Sequence, residues 1–251
     1  MQEINGFNYS ARVLLVPLFL VLLIWSVYWA ELSFGWNLNH WGIAPRTLKG
    51  LRGIVFSPFI HGSLKHLYNN TIPLAVLTAM LFYFYNSKAW KVLLWGLFLS
   101  GLITWGIGRP SYHIGASGLI YVLASFIFFK GIFTKYYRLV ALSLIVVFLY
   151  GSLLWYIFPV KEGMSWEGHL AGFLVGIVLA LATANPVVSA KKYAWEKEGY
   201  NEENDPFLKH FDEQGNFVER LPEEPTDQEE PITIRYVYRE KRSRPNGKDG
   251  S

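Results

Sequence analysis

The side chains able to do chemistry fall in three short stretches, HGSLKHLYNN at 61–70, HIGASG at 113–118 and GHLAGFLVG at 168–176. The second holds one serine, Ser117, among small residues. A hydroxyl is a weak nucleophile until a base takes its proton. His169 in the third stretch can be that base, because a neutral imidazole accepts at one ring nitrogen. The Gly-x-Ser-x-Gly turn of soluble hydrolases does not fit, since the glycines stand at Gly115 and Gly118. No buried carboxylate is expected to orient His169. Glu167 is two residues away and points to another face of a helix. The pattern is therefore a dyad. Acyl transfer also needs donors for an oxyanion. His66 and Asn70, spaced i, i+4, project from one helix face, and the Ser117 amide at a helix start adds a third donor. Gly115 and Gly118 let the backbone bend and let helices approach Ser117 closely. Tyr121, one turn on, can pack under the imidazole. His61 and His113 read as loop or hydrogen-bonding residues rather than as the base.

These stretches are far apart in sequence, so the elements around them must bring them together. A membrane-spanning helix needs about 20 mostly apolar residues. Six candidates are present: Val13 to about Glu31, His66 to Tyr85, about Trp90 to Gly106, Ala116 to Lys130, Tyr137 to Phe158, and His169 to about Ala184. The first is too long for a signal-peptide core and has no small-residue cleavage site. The second, fourth and sixth spans run in the same direction, so their N-terminal ends share one side and a similar depth. Ser117, His169 and the His66/Asn70 pair then lie in one layer just below one membrane surface. Gly168, Gly172 and Gly176 repeat every four residues along the sixth span, a stripe suited to tight packing in lipid that brings His169 against the fourth.

Composition divides the chain near residue 189. Of 19 acidic residues only Glu3, Glu31, Glu162 and Glu167 precede that point, whereas Lys and Arg divide 12 before and 11 after. The expected organisation is an all-α polytopic membrane domain over residues 1–188 and a polar, disordered cytoplasmic tail over 189–251. Within the tail, ITIRYVYRE alternates like a strand but amounts to one hairpin arm at most. A net charge of +4 is too small to argue for nucleic acid. With no cysteine there is neither a disulfide framework nor thiolate chemistry. With the N-terminus inside, nine basic residues (Arg12, Lys88, Lys91, Lys130, Lys135, Arg138, Lys191, Lys192 and Lys197) fall inside and six fall outside. Coupled transport would predict acids in the helix cores or inverted repeats, and neither is found. A serine among glycines is, alone, more often packing than catalysis, and a membrane-edge histidine is often an anchor. The joint pattern is what carries a chemical reading.

That joint pattern resembles the rhomboid family of intramembrane serine proteases, through HGSLKHLYNN, GASGLIY at 115–121 and GHLAGFLVG. The resemblance covers residues 10 to 188 and not the tail. It implies a six-helix rhomboid-like bundle. Ser117 is then the nucleophile, His169 the general base, His66 and Asn70 the oxyanion pair with the Ser117 amide, and Tyr121 the aromatic beneath the base. The EGMSW loop resembles the cap over such a site. It further implies transmembrane protein substrates in a lipid bilayer, no cofactor or metal, and a bacterial inner membrane with both termini cytoplasmic. The oligomeric state stays open. The alternative is a proteolytically inactive relative that binds membrane clients. Many members carry Trp-Arg in the first loop where this chain reads Leu51-Arg52-Gly53; that motif is structural in the family, so the departure bears on the stability of the loop more than on catalysis.

Overall fold

Among the described residues, six apolar helices and one short helical turn build the membrane domain: α1 Arg12–Phe34, α2 Gly53–Phe56, α3 Leu64–Phe84, α4 Asn86–Ile107, α5 Ser117–Thr134, α6 Tyr137–Tyr150 and α7 Trp166–Ala182. The computed structural model describes residues 10–184 and, beyond them, 193, 195, 199–202, 205–212 and 214–219. The chain divides into two units, Met1–Ala190 and Lys191–Ser251. Among the described residues there is no sheet, only the isolated bridges Ile43–His113 and Phe211–Phe217.

Five helical segments are long and apolar enough to cross a membrane, with α6 counted through its continuation to Ile157, and α7 is a shorter apolar helix. The protein is thus an integral, multi-pass, all-α membrane protein. Large apolar side chains face outward, Leu14 and Phe19 on α1, Leu94 on α4 and Phe148 on α6 among them, as a lipid solvent allows. The centre is α5, the most buried of the long spans, which packs against α3, α4, α6 and above all α7. Phe82, Leu123, Phe126 and Ile127 fill the space around it.

The observed ends differ from the sequence expectation in ways that matter. α3 begins at Leu64 because Ser63 caps it, its hydroxyl accepting from the His66 N–H at 3.2 Å. α7 begins at Trp166, so Glu167 and His169 both lie in its first turn. The fifth span is not one α-helix to Phe158. α6 stops at Tyr150 and the chain continues as a 3-10 helix, Gly151–Ile157. α5 runs on to Thr134, which places Lys130 inside it. Lys130, expected among loop charges, is 1% exposed. Its ammonium donates to the Ala180 carbonyl at 3.0 Å and to that of Thr183, while Lys88 donates to that of Ala184. At 1.5 Å per residue the 17 residues of α7 span about 26 Å, so its last carbonyls end short of a ~30 Å hydrocarbon layer. The two lysines supply the donors those carbonyls lack.

The first loop is built from the 3-10 turns Asn39–Trp41, Leu48–Arg52 and Ser57–Phe59 around α2. Arg52 ties two of these turns together. The Arg52 guanidinium lies 4.4 Å over the Trp41 ring and donates to the His40 carbonyl at 2.9 Å.

In the second unit, Leu208–His210 form a 3-10 turn. The Asp212 carboxylate accepts from the amides of Gln214 and Asn216 at 2.9 and 2.8 Å, closing the turn between Phe211 and Phe217. The strand-like ITIRYVYRE segment lies outside the described residues.

Candidate active site

The first two turns of α3 supply His66 and Asn70. His66 is half-buried, and Asn70, one turn on, is buried with an Nδ2 that has no hydrogen-bond partner among the described residues. Both face Gly115. A Cβ there would fall 2.6 Å from His66 Nε2 and 3.5 Å from Asn70 Nδ2. Gly115 also has φ +106, a conformation in which L side chains are strained. Two side-chain nitrogens therefore converge two residues before Ser117. Ser117 opens α5, so its own N–H is one of the four that a helix leaves without an intrahelical acceptor.

The His169 side chain is held from two sides. The His169 ring stacks on Tyr121 at 4.4 Å between centroids and 14° between planes. Its Nδ1 lies 2.9 Å from the Tyr156 carbonyl oxygen. A carbonyl only accepts, so Nδ1 carries the proton and Nε2 keeps its lone pair. Tyr121 in turn donates its hydroxyl to the Leu153 carbonyl at 2.6 Å. Both carbonyls belong to the 3-10 segment after α6. Ser117 lies one turn before Tyr121 on the same face of α5. Its hydroxyl makes no hydrogen bond among the described residues. The approach of α7 to α5 depends on Gly172, where a Cβ would run into the Gly118 carbonyl oxygen. At Gly118 itself a Cβ would meet only an ordinary contact, 3.5 Å from the Gly168 carbonyl oxygen. The tight fit lies on the α7 side.

The loops above the site are tied together. Ile43 and His113 exchange both backbone hydrogen bonds at 2.9 Å, and the Gly115 N–H donates to the Ser57 carbonyl at 2.8 Å. His113 Nε2 lies 3.1 Å from the Arg109 carbonyl and must donate to it, so Nδ1 accepts from the Ser165 hydroxyl at 2.6 Å. Burial pushes the His113 pKa down, which favours this neutral form. Glu167 is buried close to His169 in sequence but is not bonded to its ring. It is 2% exposed. Its carboxylate serves Arg109 rather than His169, accepting from the Arg109 backbone N–H at 3.2 Å and from the guanidinium at 3.4 and 3.5 Å. Arg109 also donates to the Met164 carbonyl at 2.5 Å.

A cavity of about 40 Å³ opens beside Ser117, lined in part by Ser57, Ser100, Thr104, His113 and Ser165. Its size is enough for ~2–3 water molecules, with these hydroxyls and the His113 ring as polar partners among otherwise apolar walls. A larger recess of about 440 Å³ shares His113 and Ser165 with it and is lined by Arg109, Tyr112, Lys161 and Trp166. His61 packs edge-on against His66, 5.0 Å between centroids. It is 2% exposed and neither nitrogen makes a hydrogen bond among the described residues. Burial, with His66 adding to it, lowers its pKa to about 4. Among the described residues no three of His, Cys, Asp or Glu gather as a metal ion would require.

The structure stacks His169 on Tyr121, one turn after Ser117 on α5, and brings His66 and Asn70 to Gly115, two residues before Ser117. The carbonyls of Tyr156 and Leu153 are absent from the sequence expectation. No side-chain identity announces a backbone acceptor. The only signal is the Gly151-Ser152 pair near the end of an apolar run.

The model of the rhomboid domain family matches residues 49–186. Uncharacterised proteins of Mycobacterium bovis and Mycobacterium tuberculosis are each 35% identical over 193 residues, 72% of this chain and 80% of the relative. An uncharacterised protein of Mycobacterium leprae is 34% identical over 160 residues, 60% of this chain and 63% of the relative.

Proposed function

The chain belongs to the rhomboid family, and from that premise we propose that it is a serine endopeptidase that hydrolyses peptide bonds in or near transmembrane segments of membrane-protein substrates. Ser117 attacks the scissile carbonyl carbon while His169 Nε2 takes its proton. The Tyr156 carbonyl holds Nδ1–H, the Tyr121 ring fixes the plane of the imidazole, and no carboxylate takes part. The oxyanion is met by His66, Asn70 and the Ser117 amide. His169 then returns its proton to the leaving amine. A water from the cavity beside Ser117 attacks the acyl-enzyme, with His169 again as base.

The observation that carries this reading is the set of constraints on His169. The ring is stacked on Tyr121 with Nδ1 on a carbonyl, which leaves Nε2 available as the acceptor, and Ser117 lies one helical turn before Tyr121 on α5. One observation favours the alternative of an inactive, client-binding relative: the Ser117 hydroxyl is not hydrogen-bonded to His169. Catalytic hydrogen bonds are often long before substrate binds and tighten in the complex, so activity decides between the readings. Purified protein in liposomes is incubated with a labelled transmembrane peptide. Cleavage that disappears in Ser117→Ala supports the protease. A folded wild type that binds the peptide without cleaving it supports the alternative.

The membrane placement belongs to the same proposal. The basic residues at the Lys88/Lys130 end put that end, and both termini, on the cytoplasmic side of a bacterial inner membrane. The active site then opens toward the outer face. The C-terminal stretch from residue 189 plays no part in the chemistry.

A further inference from the structure

We infer that Arg109 and Glu167 are positioning residues for His169, setting where the base stands relative to Ser117; this inference rests on the protease reading. Neither residue touches the reacting atoms, and the scheme above uses neither. Glu167 is nevertheless a carboxylate at 2% exposure in a membrane helix, a placement that is expensive unless it serves a purpose. Its side-chain polar contacts among the described residues all run to Arg109: one backbone N–H and one guanidinium. The guanidinium fork reaches on to the Met164 carbonyl. Arg109 therefore binds the loop before α7 and the first turn of α7 at once.

The location gives the tie its effect. Arg109 lies in the α4–α5 loop, eight residues before Ser117, and Glu167 lies two residues before His169. A second tie, His113 to Ser165 at 2.6 Å, joins the same two segments. No interhelical hydrogen bond directly links the first turns of α5 and α7 among the described residues, and their faces meet through glycines. Glycine contacts permit close approach but allow sliding along the axis. Lys130 pins the far ends of the two helices through the Ala180 carbonyl, and the polar ties across the loops hold the ends that carry Ser117 and His169. A fork that holds two acceptors in one plane fixes position and orientation together, which a lysine would not do.

The test uses the full-length protein in liposomes. The rate of covalent labelling of Ser117 by a fluorophosphonate, per folded molecule, is measured with kcat and KM on a transmembrane peptide. The variants are Glu167→Gln, Arg109→Gln, Arg109→Lys and the Arg109→Gln/Glu167→Gln pair. A base displaced by a fraction of an ångström to 1 Å should slow labelling and kcat by on the order of 10- to 100-fold, with KM changed by no more than about twofold. The double variant should be no worse than either single one, because all three lose the same tie. Arg109→Lys should recover part of the loss. Labelling of Glu167→Gln and Arg109→Gln at the wild-type rate, with only a lower melting temperature, would make the pair structural and overturn the inference. So would failure of both single variants to fold. A wild type that is folded yet unlabelled defeats the protease reading itself, a result distinct from either.

Discussion

If the protease reading holds, replacing Gly115 by Ala should displace His66 from the oxyanion while leaving Ser117 and His169 in place. A Cβ at 115 lands 2.6 Å from both Nε2 and Cε1 of His66. Ordinary contact begins near 3.5 Å, so the imidazole must retreat by ~0.9 Å. His66 lies in the first turn of α3 with its backbone N–H held by Ser63, so the ring, rather than the helix, gives way. A displaced donor acts much as a deleted one, and deleting one donor lowers kcat by on the order of 10²–10³-fold. The residue also sits at φ +106, and holding an alanine there costs about 1–3 kcal/mol of stability. The two effects separate on one preparation. Turnover of a transmembrane peptide per folded molecule reads the first, and the melting temperature in detergent reads the second. A Gly115→Ala protein that melts earlier yet turns over at the wild-type rate per folded molecule would refute this reasoning, since Gly115 would then serve only the turn and His66 would not face the oxyanion.

Tyr121→Phe keeps the ring under His169 but loses the hydrogen bond to Leu153, so stability should fall by about 1 kcal/mol with kcat reduced only a few-fold, whereas Tyr121→Ala should reduce kcat much further at similar KM. His61 has a folded-state pKa of about 4 against an ordinary 6.5. The unfolded chain therefore binds the extra proton first, and stability should be fully present above pH 6.5 and decline as pH falls toward 4. His61→Gln should flatten that part of the melting-temperature profile; an unchanged profile would remove His61 as its source. Truncation after about Ala190 should leave cleavage in liposomes intact, and a folded but inactive truncation would show that the C-terminal stretch has a role in the chemistry.

Much of this arrangement is legible in the sequence because membrane helices are long, apolar and strictly directional. Three spans running the same way place residues 66, 117 and 169 at one depth, and the period of the helix puts His66 with Asn70 and Ser117 with Tyr121. What the sequence conceals is mostly backbone. The change from α-helix to 3-10 helix at Gly151 has a weak residue signature, and the carbonyls of Leu153 and Tyr156 that it presents have none. Glu167 is hidden for a different reason. It does point away from His169, as its spacing requires, but burial depends on what the α4–α5 loop brings against it, and Arg109 comes from 58 residues away. Lys130 looks like a loop charge because hydropathy alone ends α5 one turn early, and its carbonyl partner at Ala180 belongs to a helix 50 residues on. The Arg52–Trp41 contact escapes a search for adjacent residues because the ring comes from eleven positions upstream.

The measurement that bears most directly on the central claim is the site of modification by a fluorophosphonate on the full-length protein in liposomes, located by mass spectrometry and read beside peptide cleavage. One adduct is expected, on Ser117, lost in Ser117→Ala and nearly lost in His169→Ala, with cleavage lost in both. Ser117 is only partly buried and its hydroxyl makes no hydrogen bond among the described residues, so Ser117→Ala should melt close to the wild type. Cleavage that survives in folded Ser117→Ala, or an adduct on another residue, would contradict the assignment of Ser117 as the nucleophile.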